Sequence, residues 1–361
     1  VRHVIVGGGA HGSLVAAFLT RGGQSAVVVE RDARRREQIK TNGIQISGFR
    51  GEARVPIEVV GVDGVRGLAP LQTVHVCVKP DDAASVVDDV LPIAGDDTIF
   101  ISHVGGLAPF TLSERAGVGR TILAVPNMES MLRDGGVVET DFHNFIWLGE
   151  PDAQFTDRLD AAQAALSWVA PAFVTKVIRG MVWAKAIYSL EVAVSTLVDA
   201  PPLEVFADRN HRRLAAALVR ENIALADAAG VEPIAFDFFD PNLYRAKGDG
   251  EGNVMDIWIK NAWFRHEGFR TGFEYEFPAK AGLSWSLSPR NPAQETTSLC
   301  RELLAEAKSR RVSVPLTERF ASMFNEAAAG RRPLGASNLR DLDTVREGLG
   351  IRVPGAVSGK R

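Results

Sequence analysis

Val4-Ile5-Val6-Gly7-Gly8-Gly9-Ala10-His11-Gly12 joins a short β-branched run to a glycine-rich turn, and Ser13 to Leu19 continues at helical spacing. Gly7, Gly9 and Gly12 fit G-x-G-x-x-G in the strand-to-helix context that gives this pattern meaning. The first glycine permits the tight turn, the second lets the backbone approach a pyrophosphate, and the third lets helix and strand pack closely. Backbone amides at the helix start then face the phosphates with the positive end of the helix dipole. Gly7, Gly9, Ala10, His11 and Gly12 are therefore candidate cofactor-binding residues.

Outward from this loop, apolar runs alternate with stretches of helical length. Ala26 to Val29, Val74 to Val78, Thr98 to Ile101 and Thr121 to Val125 read as strands, and Asp81 to Leu91 as a helix. Continuous apolar strands alternating with helices predict βαβ units whose parallel sheet is covered on both faces. The pattern then changes. Arg179 to Leu197 and Asn210 to Ala229 are long, rich in Ala and Leu, and spaced at 3.6 residues. The expected organisation is an α/β dinucleotide-binding domain over 1–175 and a mostly α-helical domain over 176–361. Residues 236–285 hold 12 of the 27 aromatic residues and read as an insertion that packs on the helical domain. The weakly periodic tail after Gly330 reads as a loosely attached appendage.

Composition excludes several classes of function. The 361 residues carry 41 Lys and Arg against 44 Asp and Glu, so nothing favours nucleic acid or an anionic membrane as the main partner. Two cysteines, Cys77 and Cys300, cannot form a disulfide framework or a cysteine-rich zinc site. The seven histidines are scattered and no His-Glu-x-x-His or Cys-x-x-Cys spacing occurs, so sequence motifs give no metal site. No run of 18 or more apolar residues is present. The expectation is a soluble cytoplasmic protein acting on a small molecule.

Two further places carry chemistry. Glu30 lies 23 residues after Gly7, where an acidic side chain accepts hydrogen bonds from the adenosine ribose and repels a 2′-phosphate. Arg31 follows directly and can neutralise that phosphate, so the two signals conflict. At least two of Arg34, Arg35 and Arg36 read as a solvated helix face. In the helical half, Lys185 and Ser189 are i and i+4 on an otherwise apolar helix. Such a lysine either snorkels to water or sits in a cleft with a lowered pKa fit for proton transfer.

Taken together, the Gly7-to-Arg31 spacing, Val78-Lys79, Leu148-Gly149-Glu150-Pro151, Trp183-x-Lys185, Arg220-Glu221 and Glu295 twenty residues before Pro315 resemble the ketopantoate reductase (2-dehydropantoate 2-reductase) family. The resemblance implies a Rossmann domain followed by a helical domain of the 6-phosphogluconate dehydrogenase C-terminal type. Substrate would lie between them, and NADPH would reduce a 2-keto acid. It places the proton-donating lysine on Lys185, the NADP arginine on Arg31, a cofactor-contacting lysine on Lys79, and an acidic residue near the nicotinamide on Glu295. A substrate-binding serine falls in the stretch containing Ser284 and Ser286. Glu221 reads as the anchor of a buried polar contact. A homodimer is expected by analogy.

The departures are specific. The family's Gln/His-Asn-Gly turn is His103-Val104-Gly105, which puts Val104 where an asparagine touches the cofactor, and the helix asparagines after the lysine are Ser189 and Ala193. Ketopantoate would lose hydrogen-bond partners there. The reading is thus an NAD(P)-dependent oxidoreductase for a 2-keto acid or a bulkier oxo compound, with a dual or weakly discriminating NAD(H)/NADP(H) site. Lys185, Glu295 and Ser189 are its catalytic candidates, with Ser189 also facing substrate. The alternative is a non-catalytic NAD(P)-binding regulator or redox sensor on the same fold.

Overall fold

A computed structural model describes residues 2–48, 51–128, 130–140, 145–198, 200, 202–236, 239–245 and 293–349. Ser284, Ser286 and most of the aromatic-rich stretch lie outside the described residues. The chain divides into two compact units, Val1–Arg179 and Gly180–Arg361.

In the first unit the strands are β1 (Arg2–Val6), β2 (Ser25–Val29), β3 (Ile44–Gly48), β4 (Ala53–Val55), β5 (Glu58–Val60), β6 (Thr73–Val76), β7 (Ile99–Ser102), β8 (Thr121–Asn127), β9 (Ser130–Leu132), β10 (Val137–Thr140), β11 (Phe145–Gly149) and β12 (Ala172–Val174). The helices are α1 (Ala10–Arg21), α2 (Ala33–Asn42), α3 (Pro80–Val90), α4 (Ala108–Ala116) and α5 (Asp157–Leu166). Eight strands form one sheet in the order β12-β11-β8-β7-β6-β1-β2-β5. It is parallel except that β11 runs antiparallel to β8, so the all-parallel expectation is corrected. Strand β6 ends at Val76, which leaves Cys77 and Val78 beyond the strand end.

Alternation along each strand sorts side chains between two cores. Val4, Val6, Val27, Val29, Val74, Val76 and Phe100 pack with α3 and α4 through Ala83, Val87, Ala108 and Leu112. Ile5, Val28, Ile101 and Ile122 face the other way and pack with α1 and α5 through Leu14, Phe18, Leu159 and Leu166. This double coverage explains the unbroken apolar runs. A second sheet, β4-β3-β10-β9, was not visible in the sequence because its strands are short and come from distant segments. Its Ile44, Ile46 and Val138 join the core beneath α1.

The second unit is helical: α6 (Ile178–Ala193), which begins at the boundary, then α7 (Pro202–Val205), α8 (Arg209–Ala228), α9 (Pro241–Arg245), α10 (Ala293–Arg310), α11 (Pro315–Ala328) and α12 (Ser337–Gly348). Helix α11 buries Leu316, Phe320, Met323 and Phe324 and packs against α8, α10 and α12. Glu221 anchors this packing. Its carboxylate accepts from the Leu316 and Thr317 amides at 3.0 and 2.7 Å and from the Thr317 hydroxyl at 2.7 Å. The tail after Gly330 is not a loose appendage up to residue 349. Helix α12 buries Leu339 and Leu342, and the Asn338 amide donates to the Leu197 carbonyl at 2.9 Å.

Candidate active site

The glycine loop has the geometry its spacing implies. Gly7 has φ of +106°, and a Cβ there would lie 2.6 Å from the Cys77 carbonyl oxygen. A Cβ on Gly12 would meet the Gly7 carbonyl oxygen at 1.9 Å, so that position must stay bare for α1 to approach the turn. At Gly9, the N-cap of α1, a Cβ would meet nothing within 4 Å. The loop thus offers open space at the amino end of a helix, which suits a phosphate.

Glu30 follows β2 and is tied to this loop. Its carboxylate accepts from the Gly8 amide and from the Asp32 amide, each at 2.8 Å. Arg31 is highly exposed and paired through both guanidinium nitrogens with Asp82, at 2.9 and 3.0 Å. The arginine run is not the solvated face that its charge suggests. Arg35 is buried and donates to the Gly8 carbonyl at 3.1 Å, to Ser13 Oγ at 2.9 Å and to the Gly136 carbonyl at 3.0 Å. Arg36 is half-buried and donates to the Glu30 and Arg31 carbonyls. Only Arg34 of the three fits the expected solvated face. Lys79 is the N-cap residue of α3, with Pro80 next to it at the helix start. Val104 is 4% exposed and packs into the core with α3 and α4. Its isopropyl group is thus engaged in the core.

Sequence reasoning missed a line of histidines between the sheet and α1. His3 Nδ1 lies 2.9 Å from His75 Nε2, His75 Nδ1 lies 3.0 Å from His103 Nε2, and His103 Nδ1 lies 3.0 Å from His11 Nε2. His75 is held well below the ordinary histidine range by burial, and His3 is lowered to about 4 for the same reason. The available signal was parity: His3 and Ile5 share one face of β1, and His75 alternates with the valines of β6.

In the second unit, α6 carries Lys185 half-buried between Ala184 and Ala186, both buried. Lys185 Nζ lies 6.0 Å from the Phe236 ring centroid. Burial lowers its pKa from 10.5 to about 8, against the opposing pull of the Glu295 carboxylate. Glu295 stands exposed in the first turn of α10, where a carboxylate also complements the helix dipole. Ser189, one turn after Lys185, is exposed, and Ala193 is buried.

The family model for ketopantoate reductase PanE/ApbA matches residues 3–153. The N-terminal part of the chain resembles the ketopantoate reductase family. A 2-dehydropantoate 2-reductase of Aquifex aeolicus is 26% identical over 161 residues, which span 44% of this chain and 49% of that one. The chain thus matches about half the length of that curated relative. Among solved structures, 2-dehydropantoate 2-reductase of Geobacter metallireducens aligns with a TM-score of 0.73 at 23% identity, covering 91% of this chain and all of the other. A ketopantoate reductase from Ralstonia eutropha aligns at 0.72 and 15% identity, covering 92% and 99%. D-mandelate dehydrogenase with NADH and anilino(oxo)acetate aligns at 0.69 and 14% identity, covering 95% and 99%. These neighbours establish the fold. The matched ketopantoate reductase segment contains the loop, Glu30, Arg31 and Lys79, whereas Lys185, Ser189 and Glu295 lie beyond it.

Proposed function

We propose that the chain reduces a 2-keto acid or a bulkier oxo compound with a reduced nicotinamide dinucleotide. The observation that carries this reading is Lys185, a half-buried amine on an apolar helix whose pKa is brought to about 8. The residues of the first unit fit the dinucleotide: open space at Gly9 for a phosphate, and Glu30 fixed beside Gly8 for a ribose. When bound, the dinucleotide supplies a hydride to the substrate carbonyl carbon. The protein's part is to handle the proton. The Lys185 ammonium donates to the oxygen on which negative charge develops, and its charge stabilises that oxygen beforehand. Glu295 keeps the amine more basic than burial alone would, so the acid form prevails at neutral pH.

Weak discrimination between NADH and NADPH follows from two opposed features. Glu30 places a carboxylate where a 2′-phosphate would sit, and Arg31 must give up Asp82 to reach that phosphate. An exposed ion pair is worth ~0.2–1 kcal/mol, so neither feature dominates. Val104 and Ala193 are apolar where the family resemblance implies asparagines, and loss of these two polar side chains favours another oxo acid over ketopantoate. The aryl-substituted oxo compound bound to the mandelate dehydrogenase neighbour supports including aryl 2-keto acids in a screen. Nicotinamide fluorescence titration followed by a panel of 2-keto acids tests the proposal. Binding with turnover of at least one acid is expected. Binding without turnover across aliphatic, branched and aryl acids would favour the non-catalytic regulator instead.

A further inference from the structure

One cluster of side chains takes no part in the proposed proton transfer, although its His11 also belongs to the candidate dinucleotide loop. His11, Cys77 and His103 bring one ligand atom each to within 4.8 Å of one another. They come from three places: the first turn of α1, the segment just beyond β6, and the segment just beyond β7. Two imidazoles and a thiol form a borderline-soft donor set that suits zinc and its neighbours rather than magnesium or calcium. We propose that His11, Cys77 and His103 form a binding site for one divalent ion of the zinc class, with a fourth position left to an exchangeable ligand.

The two imidazoles stand near the separation such an ion needs, and the Cys77 sulfur lies within 4.8 Å of both. Nitrogens at about 2.0–2.1 Å from a tetrahedral zinc stand about 3.3–3.4 Å apart. His11 Nε2 and His103 Nδ1 are 3.0 Å apart across their present hydrogen bond, so a small spreading, with both rings tilted to aim their lone pairs at one point, admits an ion in place of the shared proton. The outer face of the site is already arranged. His103 holds His75 through its other ring nitrogen at 3.0 Å, and His75 holds His3 at 2.9 Å. Ligating histidines are commonly oriented by such a partner on the second nitrogen.

The same line solves the proton problem. If His103 Nδ1 carries the hydrogen, coordination moves it to Nε2, and His75 and His3 each shift a proton in turn. If His11 Nε2 carries it, the proton moves to His11 Nδ1. Either way each imidazole keeps one proton, and only the Cys77 thiol releases its own to solvent as the sulfur–metal bond forms. Burial holds that thiol in its protonated form, and a coordinated thiol loses its proton outright.

His103 is buried, while His11 and Cys77 are half-buried and leave a path for entry. A divalent ion with one thiolate leaves one net positive charge at the amino end of α1. That end favours an anion, so hydroxide or a ligand oxyanion is the natural fourth partner.

The test uses the whole protein without dinucleotide, so its result is independent of the reductase reading. Cobalt(II) serves as the probe, titrated into reduced protein and followed by absorption. One cobalt per chain is expected, with a thiolate-to-cobalt charge-transfer band in the near ultraviolet and strong tetrahedral bands in the visible. Cys77→Ser should abolish the charge-transfer band, and His11→Gln should weaken binding at least tenfold. Cys300→Ser should leave both unchanged. Zinc should displace the cobalt and raise the Tm of wild type but not of Cys77→Ser. No charge-transfer band in wild type, a band that survives Cys77→Ser, or a band lost in Cys300→Ser would overturn the assignment. Should Cys77→Ser fail to fold, unaltered cobalt affinity in His11→Gln would overturn it equally.

Discussion

Lys185 sits among apolar neighbours, and the proton transfer proposed for it has measurable signatures. Lys185→Ala should lower kcat for reduction by ~10²–10⁴ while NADH and NADPH affinities stay nearly constant. Wild-type turnover by this variant would remove the lysine from the mechanism. The acid form is populated below about 8, so reduction should be flat below that pH and fall above it. Oxidation of the hydroxy product should show the opposite limb, and a profile unmoved between pH 7 and 9 would contradict the assignment. At the other unit, Asp82→Asn frees Arg31 and should shift the Kd ratio toward NADPH by roughly 1.4- to fivefold, the equivalent of ~0.2–1 kcal/mol. Much of this was legible in the sequence. Gly7 and Gly12 follow from close backbone approach, and Glu30 from its place after the second strand. Arg35 was not legible, because a charged residue within Arg34-Arg35-Arg36 looks solvated until Gly136, 101 residues away, supplies its partner.

The elements themselves were readable where both faces of a strand are apolar, as in β1, β2, β6 and β8. The four short strands of the second sheet were not, since three to five residues give too little periodicity and β3 pairs with β10 across the sequence. The histidine line escaped notice for a related reason: a polar residue at an inward strand position looks like an interruption until its partner on the next strand is seen. It carries an acid-sensitivity prediction. His3 has a folded pKa of about 4 against 6.5 for an ordinary histidine, so between these values the unfolded chain binds more protons. Stability should therefore fall as pH drops from 6.5 toward 4, and His3→Gln should flatten that slope in urea titrations. An unchanged slope would locate the acid sensitivity elsewhere. Helix α11 gives a second measurement at this scale. Glu221→Ala strips three donors of their acceptor and should cost ~1–3 kcal/mol in chemical denaturation. A loss below 0.5 kcal/mol (about the usual surface effect) would mean that water replaces the carboxylate.

For the whole molecule, the two compact units divide the proposed labour: dinucleotide binding in one and proton handling in the other. A dinucleotide at a hundredfold its Kd stabilises the state it binds by ~2.7 kcal/mol. In the absence of substrate, hydrogen-exchange protection gained on binding should concentrate in Val1–Arg179. Gains mainly in Gly180–Arg361 would reverse the assignment of roles. Among the described residues no helix is long and apolar enough to cross a membrane. The change from alternating β and α patterns to long helices was the most legible feature of the chain, because it depends on many residues and on no single contact. Arg35 has a practical consequence at this same scale. Its guanidinium grips the Gly8 carbonyl, Ser13 Oγ and the Gly136 carbonyl at once, so the segment proposed to set dinucleotide choice is not a cassette. Anyone exchanging residues 30–36 for those of a related protein without an arginine at position 35 would remove a donor from acceptors in two remote segments. The transplantable part is discontinuous, and a graft that changes coenzyme choice without losing stability has to carry the Gly136 turn along with it.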